Sequence, residues 1–218
     1  MGEGIAHIIS PASAVWCSWT MLVLLLCGIL SELFQPGVIS QAKNSLITQT
    51  DRVYKESPNN FMGQLMIHLF RLGVITMAMY LCCVETGYFS FTGFWAIFGI
   101  TLVMNIIKLV CNYFMDFTFQ LTRRFGNAHE HYGNILTLIV LAIYPVLLVL
   151  LRYGAPQVNR WVLGTMAVIF LLLWFYRAFR QFITTPRAIG YLFIYFCTIE
   201  LLPWVLLYIL SNQIISQI

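Results

Sequence analysis

The chain contains six long apolar runs, and this pattern restricts its fold more than any other feature. A helix that crosses a membrane needs about 20 mostly apolar residues, whereas soluble domains carry about 25% charged residues. Of the 218 residues, 60% are hydrophobic and 9% are charged. Because so little charge could not cover a soluble surface, we predict an all-α polytopic membrane protein that forms one domain over 1–218. The six predicted transmembrane helices are residues 13–34, 62–84, 89–112, 132–151, 158–176 and 188–211.

Apart from Arg71 and Lys108, the basic residues lie in or next to the loops, and most of them fall in alternate loops. If the chain crosses the membrane six times, eight of them lie on one side, and only Arg152 and Arg160 lie on the other. An excess of Lys and Arg marks the cytoplasmic side. We therefore predict that both termini lie on the non-cytoplasmic side. The eight residues are Lys43, Arg52, Lys55, Arg123, Arg124, Arg177, Arg180 and Arg187.

The longest predicted loop, 35–61, contains a weak amphipathic pattern over 39–53. This pattern fits a helix that lies on the inner membrane surface. It fits an ordinary cytoplasmic loop helix equally well.

Two cations interrupt the apolar runs, Arg71 in the second and Lys108 in the third. A charge inside hydrocarbon costs roughly 3 kcal/mol on insertion scales, so it is normally paired or hydrated. Each cation shares a helix face with polar neighbours three or four residues away. The two predicted faces are Gln64, His68 and Arg71, and Asn105, Lys108 and Asn112.

A short turn joins these two runs, so we expect them to pack as antiparallel neighbours with their polar faces at overlapping depths. Glu200 is the only acid deep within a run, and Arg71 is its expected partner because the guanidinium fork suits a carboxylate. Lys108 is the second choice. The sequence thus predicts one polar seam in the cytoplasmic half of the membrane.

Three interpretations of this seam remain open. Its polar contacts could lock the bundle, since interhelical hydrogen bonds are common in membrane proteins. Its excess cation could bind a phosphate or carboxylate in a cavity that opens to the cytoplasm. His68 and Glu200 could instead relay protons.

The other motifs in the sequence do not predict a metal site or a catalytic site. The histidines of His129-Glu130-His131 are two residues apart, which is not the four-residue spacing of a helical zinc site. The six cysteines lie in apolar runs without metal-type pairs and are interpreted as small apolar side chains. We predict no catalytic residues, no metal and no cofactor. Lipid headgroups explain cations beside spans better than nucleic acid does.

The C-terminal third resembles a known family. The pattern is a Tyr-rich span that leads into Cys197, Thr198, Glu200 and Pro203. It is similar to a Bacteroidetes-type bacterial family of integral membrane proteins that is defined only as a domain of unknown function. The resemblance implies a multi-pass protein of the bacterial inner membrane, carries no activity, and draws attention to Glu200.

We therefore expect a non-enzymatic inner-membrane subunit that binds a partner protein or an anionic lipid within an envelope assembly. The alternative is a small transporter or channel for an anionic solute that uses Arg71, Lys108 and Glu200. An intramembrane enzyme that acts on lipid is the weakest hypothesis, because no nucleophile and base form a visible pair.

Overall fold

The protein is a bundle of α-helices. The computed structural model describes residues 11–37, 40, 60–84, 90–119, 128–153, 155–182 and 201–215, and these ranges contain no β-strand. The all-α prediction is therefore confirmed. In chain order the helices are α1 Pro11–Phe34, α2 Phe61–Cys83, α3 Phe91–Phe119, α4 Ala128–Tyr153, α5 Pro156–Phe182 and α6 Leu202–Ile215.

Five of these helices, α1 to α5, are long and apolar enough to cross a membrane. The described part of α6 has 14 residues, fewer than the roughly 20 that a crossing needs. Most of the predicted sixth span, 188–200, lies outside the described residues, as does the amphipathic pattern over 39–53 apart from Ser40. The protein is thus a helical membrane protein, and the sixth crossing remains a prediction.

Several helices extend beyond the predicted apolar runs. The third predicted span ends at 112, whereas α3 continues to Phe119. The fourth begins at 132, whereas α4 begins at Ala128. Apolarity marks only the part of a helix that faces lipid, while the backbone hydrogen bonds of a helix also form in polar flanks. The sequence pattern therefore underestimates helix length.

The first helix ends where the sequence predicts. Pro36 and Gly37 follow α1, and Gly37 has a φ of 94°, a left-handed conformation that favours glycine. The Gly37 N–H donates to Oε1 of Glu32 at 2.8 Å. The side chain of Asn60, just before α2, donates to the carbonyl of Phe34 at 3.1 Å. This bond satisfies a terminal carbonyl of α1 that has no partner within its own helix.

The second helix is the centre of the bundle. It contacts all five of the other helices, and it is the most buried of the five long helices. Val74 and Met77 are completely buried in it. One apolar core surrounds them and includes residues from α1, α3, α4 and α5.

Glycines allow α1 and α2 to approach closely along their antiparallel contact. Gly28 on α1 faces the ring of Phe70, while Gly73 on α2 faces Leu24. A Cβ atom on Gly63 would lie 2.7 Å from Cβ of Gln35, so no larger residue fits there without movement. Small residues at such contacts are typical of membrane helices, whose association depends on close packing.

The fourth helix is joined to this pair through Tyr144. Its hydroxyl donates to the carbonyl of Met21 on α1 at 3.0 Å, and the bond is buried. Its ring centroid lies 5.9 Å from that of Phe70 on α2. The same side chain therefore contacts both helices.

The two ends of the bundle are called the basic end and the opposite end. The basic end is where α2 and α4 begin and where α1, α3 and α5 end. The opposite end is where α1, α3 and α5 begin and where α2 and α4 end.

At the opposite end the ring of Trp16 contacts Tyr80, Phe91 and Phe94 at centroid distances of 5.5–6.0 Å. The Tyr80 hydroxyl donates to the carbonyl of Ser90 at 3.0 Å, and the Ser90 hydroxyl accepts a bond from the Gly93 N–H at the start of α3.

Replacement of Gly63 tests the close approach of α1 and α2. The added methyl group of Gly63→Ala overlaps Gln35, and overpacking of this kind destabilises by about 1–3 kcal/mol. We expect a lower unfolding temperature in detergent by differential scanning fluorimetry. Gly164→Ala is the matched control, because nothing lies within 4 Å of the added methyl group. Equal unfolding temperatures for the two variants would contradict the packing.

Candidate functional site

The contact between Tyr80 and Phe94 sets the relative depth of α2 and α3. Their ring centroids are 6.1 Å apart. Arg71 lies nine residues from Tyr80, and Asn105 lies eleven residues from Phe94. At about 1.5 Å per residue, the backbones at 71 and 105 differ in depth by about 3 Å. His68 and Lys108 lie twelve and fourteen residues from the same contact, so they too are close in depth.

The guanidinium of Arg71 lies against Gly133 on α4. A Cβ atom on Gly133 would lie 3.4 Å from Nη1 of Arg71 and 3.9 Å from Nη2. The Arg71 side chain is half-buried, and its Nε atom is buried and donates no hydrogen bond to any described residue. The absence of a side chain at 133 lets the planar group rest on the α4 backbone.

This contact moves the charge away from the middle of the bundle. Side chains of a helix tilt toward its N-terminus, and α2 begins at the basic end. Gly133 is the first residue of the apolar part of α4, which follows the polar stretch 128–132. Arg71 therefore extends along apolar surface until its head reaches the level where α4 becomes polar, as long cationic side chains do near membrane boundaries.

The other two members of the predicted polar face of α2 are exposed. His68 and Gln64 lie three and seven residues nearer the basic end than Arg71, on the same face. The α4 carbonyl next to this face is already used, since the Thr137 hydroxyl donates to the oxygen of Gly133 at 2.8 Å. The α2 face thus presents an amide, an imidazole and a guanidinium in order of depth.

On α3 the predicted polar residues do not share one environment. Lys108 continues the line of Phe94, Ile97 and Thr101, which faces the bundle, and its side chain is half-buried. Asn105 lies beside that line and is exposed. Its Nδ2 donates to the carbonyl of Thr101 on its own helix at 2.9 Å.

Two members of the predicted site have side chains outside the described part of the structure. Glu200 lies outside the described residues, and so does the side chain of Asn112, although its backbone belongs to α3. The pairing of Arg71 with Glu200 is therefore still a prediction. The described members of the site supply positive charge and hydrogen-bond donors, a combination that suits an anion.

A second arginine in the bundle has a structural role that the sequence analysis missed. Nε of Arg160, near the start of α5, donates to the carbonyl of Cys82 at 3.0 Å. Cys82 is in the last turn of α2, where carbonyls have no partner within the helix. A cation there also complements the negative end of the helix dipole. No local pattern could reveal this contact, because the two residues are 78 positions apart.

The remaining motifs add no site among the described residues. His129 and His131 lie inside α4, which begins earlier than predicted, and positions two apart do not face each other on a helix. The five described cysteines are free thiols. In the described ranges no three His, Cys, Asp or Glu residues form a group that could hold a metal ion.

Together these features define a helical integral membrane protein with a polar face near one end of the bundle. The chain belongs to the family described as a domain of unknown function, DUF4271, which matches residues 17–210. The resemblance to a family of unknown function is thereby confirmed. Comparison with curated proteins and with solved structures found no significant match.

Loss of Arg160 is expected to destabilise the opposite end. Arg160→Leu leaves the Cys82 carbonyl without its donor in a partly buried position, and a hydrogen bond to a charged group contributes about 1.5–3 kcal/mol. The unfolding temperature in detergent should fall, and backbone hydrogen exchange should increase in the last turn of α2. Arg152→Leu removes an exposed cation from the same end and serves as the control. A larger loss of stability in the control would exclude the capping role.

Proposed function

We propose that the protein is a non-enzymatic membrane subunit that binds the headgroup of an anionic lipid at the basic end. Arg71 is the central residue of this site, and His68 and Gln64 lie beside it on α2. The observation that supports the proposal most directly is the position of the Arg71 guanidinium against Gly133. It brings a permanent positive charge to the depth where the α4 sequence changes from apolar to polar.

The chemistry of the three side chains suits a phosphate group. A guanidinium forms paired, charge-assisted hydrogen bonds with phosphate oxygens. The Gln64 amide and the His68 ring can donate further bonds, and both side chains are exposed. A lipid phosphate lies at the membrane boundary, so it can reach this face without entering the apolar core.

The charge distribution supports the same location. In the predicted topology the eight basic loop residues lie at the basic end, which we propose is cytoplasmic, with six spans and both termini on the other side. Anionic lipids are attracted to basic clusters on that side. The resemblance to a bacterial family suggests the inner membrane, and five helices long and apolar enough to cross a membrane fit a membrane-embedded subunit of an envelope assembly.

Lys108 and Glu200 are the other two charged residues of the proposed site. Lys108 is half-buried on the α3 line that contains Phe94 and Ile97, and it lies at nearly the depth of His68. We propose that Glu200 pairs with Arg71 and balances its charge, so that Lys108 leaves the site with a net positive charge for the lipid. Such a site stabilises a lipid or an adjoining subunit without chemistry on the bound group.

Replacement of Arg71 tests the lipid site. We expect Arg71→Gln to weaken the binding of phosphatidylglycerol to the purified protein about tenfold or more, because a hydrogen bond to a charged group contributes about 1.5–3 kcal/mol. Binding is measured by native mass spectrometry, with phosphatidylcholine as the uncharged comparison. Arg152→Gln removes an exposed cation from the opposite end and should bind as the wild type does.

Unchanged phosphatidylglycerol binding in Arg71→Gln would contradict this function. If the same variant also loses phosphate uptake into vesicles, the result favours the alternative, an anion transporter that uses the same cations.

Gly133 provides a second test that leaves every charge in place. A bulky side chain in Gly133→Leu would occupy the position of the guanidinium and displace it. We expect weaker phosphatidylglycerol binding for this variant. In Gly133→Ala the added methyl group meets Nη1 at an ordinary contact distance of 3.4 Å, so binding should be retained. Equal binding by the two variants would show that the position of the guanidinium does not matter.

A further inference from the structure

A second line of side chains on α3 faces away from the bundle. Its positions alternate between spacings of four and three residues, which is the heptad spacing of helices that pack side by side. It is separate from the buried line that contains Phe94 and Ile97. Five of its six members are exposed and Phe98 is half-buried. The line consists of Phe91, Trp95, Phe98, Leu102, Asn105 and Leu109.

Asn105 is the exception in this apolar line. Its side chain has two N–H donors and one carbonyl acceptor, and its one hydrogen bond to a described residue is the bond from Nδ2 to Thr101. Leu102 and Leu109 on either side are 39% and 63% exposed. Within the span Phe91–Cys111, lipid tails cannot supply the missing partners of the amide. A polar group from another chain can.

We propose that this line on α3 is the contact surface between two copies of the protein. Two copies in one membrane share the same topology, so a two-fold axis along the membrane normal places α3 parallel to its copy. This symmetry puts each residue near the axis opposite itself. An amide is both donor and acceptor, so Asn105 of one copy can bond Asn105 of the other.

The spacing supports this geometry. Alternate steps of three and four keep one seam facing the partner in a left-handed pair, the commonest packing of membrane helices. A single asparagine in such a seam selects the register of the two helices. The site proposed for lipid uses the α2 face with Arg71, so the two proposals stand independently.

The aromatic part of the line is already ordered within one copy. The Trp95 ring lies edge-on to Phe91 and Phe98, with centroids 6.0 and 5.3 Å apart. Side chains held in this way lose less conformational freedom when a partner covers them. The aromatic side chains near the start of α3 are therefore preorganised for contact with a partner.

Disulfide trapping tests the contact in liposomes of the full-length protein. Leu102→Cys lies on the line. Val103 is 52% exposed but lies one position away from the line, so Val103→Cys is the control. Both are made with Cys111→Ser, because Cys111 is exposed on the same helix. After mild oxidation we expect a covalent dimer from Leu102→Cys and little from Val103→Cys.

Variants of Asn105 test the polar contact itself. We expect Asn105→Leu to weaken dimerisation about 3- to 20-fold, which corresponds to the measured range for interhelical hydrogen bonds in membranes. Dimerisation is measured by single-molecule photobleaching over a range of protein-to-lipid ratios. Asn105→Gln keeps the amide and should retain most of the affinity.

Each outcome of these experiments either supports or overturns the proposed contact between two copies. Preferential trapping at 102 together with weaker dimerisation of Asn105→Leu supports the proposal. Equal trapping at 102 and 103, a wild-type protein that stays monomeric at every ratio, or unchanged dimerisation in Asn105→Leu overturns it. A monomeric wild type would mean that lipid or a different protein covers this face. Trapping at 102 uses an intact Asn105, so the result does not depend on the folding of the asparagine variants.

Discussion

The close contact between α1 and α2 is the constraint on which the rest of the structure depends. Lipid tails are as apolar as leucine, so membrane helices gain stability from tight packing and hydrogen bonds more than from the exclusion of water. Glycines at 28, 63 and 73 allow the two backbones to approach. The resulting pair buries α2, and α3, α4, α5 and α6 all contact the central helix.

The two arginines in the bundle show how position decides the role of a charge. Arg160 donates to the last turn of α2 at the opposite end, where a helix terminus needs a donor. Arg71 extends toward the basic end, where Gly133 leaves room for its head. The contact of Arg160 stabilises the bundle, whereas the contact of Arg71 leaves a cation near an exposed polar face. Only the second therefore suggests a binding function.

The apolar runs and their breaks predict most of the helical architecture. Period, length and the Pro36-Gly37 break place α1 and α2 almost as observed. The candidate site is predicted less completely. Spacing along one helix groups Gln64, His68 and Arg71, because residues three and four apart share a face. The same spacing groups Asn105 with Lys108. The two positions are about 60° apart around the helix axis, and in the structure Asn105 is exposed whereas Lys108 is half-buried.

Composition and hydrophobic pattern alone establish an α-helical membrane protein, since the bilayer demands long apolar helices with internally satisfied backbones. They also assign the charged side chains to particular helix faces. Only the packing of the helices decides the surroundings of those faces: Gly133 for Arg71, the end of α2 for Arg160, and an exposed surface for Asn105. Such contacts join residues far apart in the chain, so they depend on the rotation and depth of each helix, which no local pattern encodes.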